Sequence, residues 1–115
     1  MKENWIKLNP LNLPDGDYCV IKFVQNVDGT EITLSDESNN VTVLFDGVTP
    51  LVRTSIEGIR MRTWGEVQQK YGNKYFFKDW FLYKVENSKL AEWAEEESCG
   101  FYKADKLLHF CIVTG

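Results

Sequence analysis

Apolar residues recur at every second position in three short segments of the N-terminal half, a period typical of β-strands. The first segment is apolar on both alternating faces, which predicts a central strand that is covered on both sides. Asp28 and Gly29 lie between the first two segments and suit a tight hairpin, because Gly adopts positive φ at no steric cost. The pattern therefore predicts a β-meander with strands at residues 18–25, 31–35 and 41–45.

The C-terminal half alternates strand-like segments with two helical ones. Residues 51–63 predict one or two further strands interrupted at Gly58. Thr63 and Glu66 have the spacing of a capping box, in which hydroxyl and carboxylate satisfy the free N–H groups of a helix start. The remaining predicted elements are a helix at 64–71 closed by Gly72 or Asn73, a strand through 75–85, a helix at 89–98 capped by Asn87 or Ser88 and ended at Gly100, and a buried strand at 107–113.

The order of these elements predicts an α+β fold, a mainly antiparallel sheet of about five to six strands with two short helices packed on it. A chain of 115 residues without repeats or linker-like composition predicts one domain, residues 1–115. Pro10 and Pro14 disfavour regular structure in residues 1–14. The chain ends directly after a buried strand, so we expect that a short C-terminal segment follows in the natural protein.

The stretch YFFKDWFLY, residues 75–83, is either core or a binding platform. On an extended strand, alternate residues form one nearly continuous apolar face. Core packing is therefore the favoured interpretation. An exposed contact patch for another protein is the alternative, with Trp80 and Tyr83 as its candidate residues. Base stacking is disfavoured because Asp79 and Glu86 dilute the nearby lysines.

Charge and composition limit the partners and the compartment. The net charge of −4 argues against binding to nucleic-acid backbones, and it allows a basic protein partner. The N-terminus lacks the apolar region of a signal peptide, and no apolar run approaches the roughly 20 residues that span a bilayer. We therefore expect a cytoplasmic protein without membrane contact. A homo-oligomer remains open, because strands 18–25 or 107–113 pair edge to edge if they are left uncovered.

Residues that could carry chemistry are few and scattered. His109 is the only histidine and lies within the apolar run LLHFCIV, which favours a structural role. Cys19 and Cys111 alternate with apolar neighbours and are interpreted as core residues. Cys99 follows the predicted end of a helix, where the dipole disfavours a thiolate. The sequence thus predicts no catalytic centre, no metal site and no cofactor, and hence a protein that is not an enzyme.

The predicted helix 89–98 carries an acidic run against its own dipole. Helical spacing places Leu90, Trp93 and Ala94 inward. Consecutive glutamates in the last turn each cost roughly 0.3–1 kcal/mol at low salt. Such a run is either a tolerated solvated surface or an acidic patch for a basic partner, since complementary charge speeds encounter. The candidate partner-binding residues on this helix are Glu92, Glu95, Glu96 and Glu97.

The C-terminal half combines a KVENS turn into a helix that contains a Trp, an ES-x-G-x-Y exit and an apolar strand that begins with His. The residues that carry these motifs are Lys84 to Ser88, Trp93, Glu97, Ser98, Gly100, Tyr102 and His109 to Thr114. In these motifs the chain resembles a loose group of small uncharacterised bacterial cytosolic proteins. Some members resemble immunity proteins, which neutralise a toxin by direct binding. In that group a further acidic and apolar segment follows the last strand.

Two functional hypotheses follow. The first is a non-enzymatic intracellular protein-binding domain, which on the resemblance would be of the immunity type and would neutralise a toxin by direct binding. The alternative is a small-molecule-binding domain or minor enzyme with a pocket between sheet and helices. In that pocket Arg60 and Arg62 would bind an anionic ligand, and Tyr83, Trp80 or His109 would line the cavity.

Overall fold

The computed structural model describes residues 1–47 and 50–115. Among these residues, seven strands form two sheets, accompanied by helices of 11 and 9 residues and one short helical turn, which confirms an α+β fold. The strands divide into a four-stranded and a three-stranded sheet instead of one sheet. The elements are β1 (Asn4–Lys7), β2 (Cys19–Asn26), β3 (Gly29–Ser35), β4 (Asn40–Asp46), β5 (Leu51–Ile56), α1 (Met61–Tyr71), α2 (Phe76–Asp79), β6 (Leu82–Glu86), α3 (Lys89–Glu97) and β7 (His109–Thr114), with 3-10 turns at Glu57–Arg60 and Ala104–Lys106.

The predicted meander is confirmed as the three-stranded antiparallel sheet, in the order β2-β3-β4. The prediction that its first strand is central is wrong, because β3 lies between its two neighbours and β2 is an edge strand. Ile32 and Leu34 of β3 are fully buried, whereas Ile21 and Phe23 of β2 are exposed. An irregularity in the pairing between Val20 and Lys22 is typical of an edge that turns away from continued pairing.

The four-stranded sheet has the order β1-β6-β7-β5. Its strands are antiparallel except for β5 and β7, which run parallel and place β5 at an open edge. The expectation of irregular structure in residues 1–14 is wrong at β1, where Trp5 lies opposite Val85 and donates its backbone N–H to the hydroxyl of Tyr71 at 2.9 Å. Val85 and Tyr71 are far from Trp5 in the chain, so no local sequence pattern predicts this strand.

Aromatic rings pack on both sides of the four-stranded sheet. On one side, Trp5 meets Phe77 edge to face at a centroid distance of 5.4 Å, and Phe76 stacks on Tyr83 at 5.2 Å. On the other side, Phe110 of β7 contacts Phe45 of β4 at 4.8 Å and joins the two sheets. The sheet is therefore a middle layer, with α2 packed on the face opposite the meander.

The stretch 75–83 lies mainly in the core, as the favoured interpretation expected, but it is not one strand. It forms α2, a short bend and then β6. Trp80 is 4% exposed and donates its indole N–H to the carbonyl of Leu8 at 2.6 Å. Tyr83 is 1% exposed, and its hydroxyl lies 2.7 Å from the carbonyl oxygens of Phe76 and Trp80. Side chains buried to this degree offer almost no surface to a partner, which corrects the proposal that they form a contact patch.

The first helix begins earlier than the sequence predicted. Residues 57–60 form a 3-10 turn and α1 starts at Met61, with no side-chain cap at its N-terminus. Of the one or two strands predicted over residues 51–63, β5 is confirmed at Leu51–Ile56, whereas a strand beyond Gly58 and the capping box of Thr63 and Glu66 are wrong. The predicted end is confirmed, since Gly72 adopts a left-handed conformation with φ of 64° and donates its N–H to the carbonyl of Gln68.

The helix α3 has a defined cap at each end. The Ser88 hydroxyl accepts the N–H of Ala91 at 3.1 Å, which confirms the predicted N-cap. At the C-terminus, Gly100 N–H donates to the carbonyl of Glu95 and Cys99 N–H to that of Glu96, the paired bonds of a Schellman motif. Cys99 occupies the left-handed position of this motif, with φ of 54°.

Because Gly is favoured at that position, replacing Cys99→Gly is expected to raise the free energy of unfolding by about 1 kcal/mol. Urea denaturation of the reduced protein would measure the change. Cys99→Ala is the matched control, since it removes the thiol and keeps the strained conformation, and it is expected to show no such gain. Equal stability of the two variants would contradict the explanation.

Candidate functional site

The acidic helix α3 is rotated relative to its predicted orientation. Ala91 is buried and Glu95 is half-buried, whereas Trp93 is 54% exposed instead of lying inward. Two contacts hold this rotation: the Ser88 hydroxyl lies 2.7 Å from His109 Nδ1, and Glu95 Oε1 accepts the N–H of Ala104 at 3.1 Å. Helical spacing alone could not show these contacts, because both partners lie in later segments.

The four candidate glutamates differ in their availability. Glu92 pairs with Lys2 at an N–O distance of 2.7 Å, and Glu95 is engaged with the turn at Ala104. Glu96 and Glu97 are exposed, and neither forms an ion pair with another residue that the structure describes. These two carboxylates are therefore the ones that a partner would find free.

Exposed aromatic side chains accompany the two free glutamates. Phe101 is 81% and Tyr102 47% exposed, and both follow the Schellman turn that ends α3. Phe101 N–H donates to the carbonyl of Ser98 at 3.0 Å, and Tyr102 N–H to its hydroxyl at 3.1 Å, so the turn is held against the helix end. We call the residues Trp93, Glu96, Glu97, Phe101 and Tyr102 the acidic–aromatic segment.

His109 and Ser88 form a buried polar pair beside a cavity of about 400 Å³. The Ser88 hydroxyl already accepts the N–H of Ala91, so the arrangement that satisfies most groups has this hydroxyl donating to His109 Nδ1. The other ring nitrogen, Nε2, is buried without a hydrogen-bond partner among the described residues. Among the side chains that the structure describes, no carboxylate is hydrogen-bonded to the ring, as one would be in a catalytic triad. The pair thus joins the cap of α3 to β7.

Burial keeps both titratable side chains of this region, His109 and Cys111, in their neutral forms at pH 7. The pKa of His109 is lowered to about 4, first by desolvation and then by the positive charges of Arg60 and Arg53. The imidazole is therefore neutral at pH 7. Burial raises the pKa of the neighbouring Cys111 thiol to about 11, so this cysteine is protonated at neutral pH and a poor nucleophile.

Three arginines meet at the open edge of the four-stranded sheet. They come from consecutive elements: Arg53 from β5, Arg60 from the end of the 3-10 turn and Arg62 from the first turn of α1. All three line a cavity of about 490 Å³, which we call the arginine pocket. The other lining residues are Thr54, Ser55, Ile59 and Thr63.

The arginine pocket only partly matches the cavity that the sequence suggested. It does bring Arg60 and Arg62 together, but Trp80, Tyr83 and His109 do not line it. Arg53 was missed, since a lone basic residue in a predicted strand carries no distinctive signal. The alternation of Arg53 and Ser55 on one face of β5, followed by Arg60, is the one pattern that could have indicated it.

The structure also shows where Cys111 and Cys19 lie and how the possible metal ligands are distributed. Cys111 is buried as expected, but Cys19 is exposed, because β2 is an edge strand and not a central one. Within residues 1–47 and 50–115, no three His, Cys, Asp or Glu side chains gather where they could hold a metal ion. In the same residues, no helix is both long and apolar enough to cross a membrane.

No protein-family model, curated protein or solved structure matches this chain.

Proposed function

We propose that this protein is a non-enzymatic intracellular binding protein that contacts a basic protein partner through the acidic–aromatic segment. The observation that carries the proposal is the exposure of Trp93, Phe101 and Tyr102 in the same segment as two carboxylates, Glu96 and Glu97, that form no ion pair with a described residue. Trp and Tyr are enriched among the residues that dominate binding energy at protein interfaces.

The charge arrangement favours a basic partner. Glu96 and Glu97 lie in the last turn of α3, where the helix dipole and their mutual repulsion are unfavourable. A cationic partner surface that docks there would reduce both unfavourable interactions and raise the rate of association. A standard interface of about 800 Å² on each partner needs only a few such anchors.

The specific form that we propose is an immunity-type protein, which neutralises a toxin by occupying its surface. Support comes from the resemblance of the C-terminal half, since the KVENS turn and the ES-x-G-x-Y exit form the two ends of α3. Direct inhibition of this kind requires a complementary surface and no bond-making chemistry.

The proposal is tested by affinity capture from the source cell, identification of the bound protein, and titration of that purified partner. In the double variant Trp93→Ala with Phe101→Ala, Kd is expected to rise about 30-fold or more, the effect of losing one strong anchor. In Glu96→Gln with Glu97→Gln, the association rate and its salt dependence are expected to fall.

Two matched controls separate this surface from general effects. Tyr75→Ala removes an aromatic side chain that is 50% exposed and lies outside the segment, and Glu37→Gln removes an exposed carboxylate. Both should bind as the wild type does. A partner that binds both double variants with unchanged affinity contradicts the proposed surface. If the captured partner is not toxic in cells, or if coexpression does not relieve its toxicity, the immunity-type role fails.

Binding of a small molecule between sheet and helices is the second candidate function. One observation favours it, namely the arginine pocket at the edge of β5. Its volume of about 490 Å³ is within the range of roughly 300–1,000 Å³ that is typical of small-molecule sites.

A further inference from the structure

We infer that the arginine pocket binds the phosphoryl group of a small phosphorylated molecule. This inference rests on the second candidate function and is independent of the acidic–aromatic segment. Three arginines from three consecutive elements line one concave site, and three hydroxyl-bearing residues, Thr54, Ser55 and Thr63, line it with them.

Arg60 is held in place before any ligand arrives. Its Nε donates to the Ser55 hydroxyl at 2.6 Å, and its guanidinium carbon lies 5.4 Å from the centroid of the buried Trp5 ring. The structure shows no other hydrogen bond from this side chain to a described residue, so its terminal amino groups remain available. A fixed guanidinium with free terminal donors loses little conformational entropy when it binds an anion.

The arginines of the pocket form no ion pair with the residues that the structure describes. All four ion pairs between described residues are made by lysines, and no described carboxylate lies within 4 Å of Arg53, Arg60 or Arg62. Glu57, the acidic residue nearest in the chain, lines a different cavity. An anion is therefore the missing counter-charge of this site.

The N-terminus of α1 carries positively charged residues, an unfavourable arrangement that a bound anion would relieve. Arg60 is its N-cap residue and Arg62 lies in its first turn, which carries no acidic residue. Cations at a helix N-terminus oppose the positive end of the dipole, whereas anions are stabilised there. A bound anion would thus interact favourably with the guanidinium groups and with the helix end.

The donor set favours phosphoryl over carboxylate oxygens. One guanidinium satisfies a planar carboxylate with a bidentate pair, whereas a phosphoryl group offers three oxygens that point in different directions. Arginines carried by a strand, a turn and a helix that line one pocket suit the second geometry. The net charge of −4 argues against long nucleic acids, so the ligand that we infer is a small one.

The inference is tested by NMR titration of the 15N-labelled protein with inorganic phosphate and pyrophosphate at constant ionic strength. Saturable shifts are expected at residues 53–63. In Arg60→Gln and in Arg62→Gln, the affinity for pyrophosphate is expected to fall at least about tenfold, the scale of one lost charge-assisted bond. Lys106→Gln is the matched control, because it removes one exposed positive charge outside the pocket and should bind as the wild type does.

Each outcome of these titrations either supports the inferred site or contradicts it. Arg62 is exposed and bonded to no described side chain, so its variant tests the site even if Arg60→Gln disturbs the packing on Trp5. Tighter saturation by citrate than by pyrophosphate would overturn the phosphoryl assignment and leave small-molecule binding intact. If neither phosphate nor pyrophosphate saturates the protein up to about 10 mM, the site itself is rejected. It is also rejected if Lys106→Gln weakens binding as much as the arginine variants do.

Discussion

Replacing Gly29→Ala is expected to lower the free energy of unfolding by about 3 kcal/mol or more. Gly29 begins β3 with φ of 146°, a conformation that is open essentially to glycine alone. A Cβ at this position would also overlap the carbonyl oxygen of Phe45 and lie 3.2 Å from the Cα of Asp46 on the adjacent strand. Both contacts are with backbone atoms of β4, so they cannot be relieved by turning a side chain.

Two other glycines distinguish the cost of backbone strain from the cost of the clash with β4. Gly47 has φ of 82° and open space around it, so Gly47→Ala is expected to cost only the conformational strain of about 1–2 kcal/mol. Gly58 lacks a positive φ and is also in open space, so Gly58→Ala should be neutral or slightly stabilising. Denaturant unfolding of the three variants measures the order. A Gly29→Ala cost no larger than that of Gly47→Ala would show that the approach of β4 is unimportant.

Acidification from pH 7 to pH 4 is expected to remove about 3 kcal/mol of stability through His109 alone. The pKa is about 4 in the folded protein against an ordinary value of 6.5. Between these values the unfolded chain binds a proton that the folded chain does not, so stability rises with pH across this window. It is flat above about pH 7 for this group, and the loss is complete below about pH 4.

The physical reason is that a protonated imidazole at this position would be buried beside two guanidinium charges. His109 is 5% exposed, its Nδ1 faces the Ser88 hydroxyl, and the positive charges of Arg60 and Arg53 disfavour a further one. Because the chain has one histidine, its ring resonances report this titration directly by NMR. Urea unfolding at several pH values gives the linked change in stability.

The variant His109→Gln separates this contribution from that of the carboxylates. Its absolute stability will differ, but the comparison concerns the slope of stability against pH between 4 and 6.5. The wild type is expected to have the steeper slope. A ring that titrates near 6.5, or identical slopes for the two proteins, would show that His109 is not held neutral by the fold.

Interactions between neighbours in the chain could be predicted. The alternation of Ile32 and Leu34 placed β3 correctly, and the turn residues Asp28 and Gly29 placed its hairpin. The N-cap predicted at Asn87 or Ser88 is Ser88, and the left-handed stop predicted at Gly72 or Asn73 is Gly72. Each of these features depends on groups within a few residues of one another, which is why a local pattern contains the information.

Features that depend on distant partners were predicted poorly. Instead of the capping box predicted at Thr63 and Glu66, residues 57–60 form a 3-10 turn, and Arg60 at its end packs on Trp5. The outward orientation of Trp93 follows from contacts of α3 with β7 and with the turn at residues 104–106. Spacing along one helix gives a face but cannot say what that face will meet.

By itself, the sequence determined the α+β character, the meander with its turns and the approximate ends of α3, because these features depend on side-chain alternation and on backbone preferences a few residues apart. Only the tertiary structure decided that β1 belongs to the sheet, that β2 is an edge and that Arg53, Arg60 and Arg62 share one pocket. These features depend on which surfaces become buried together, and residues distant in the chain contribute to that choice. The glutamates of α3 and the pair Arg60 and Arg62 were candidates from the sequence, whereas the exposure of Trp93 and the place of Arg53 in the pocket belong to this second class.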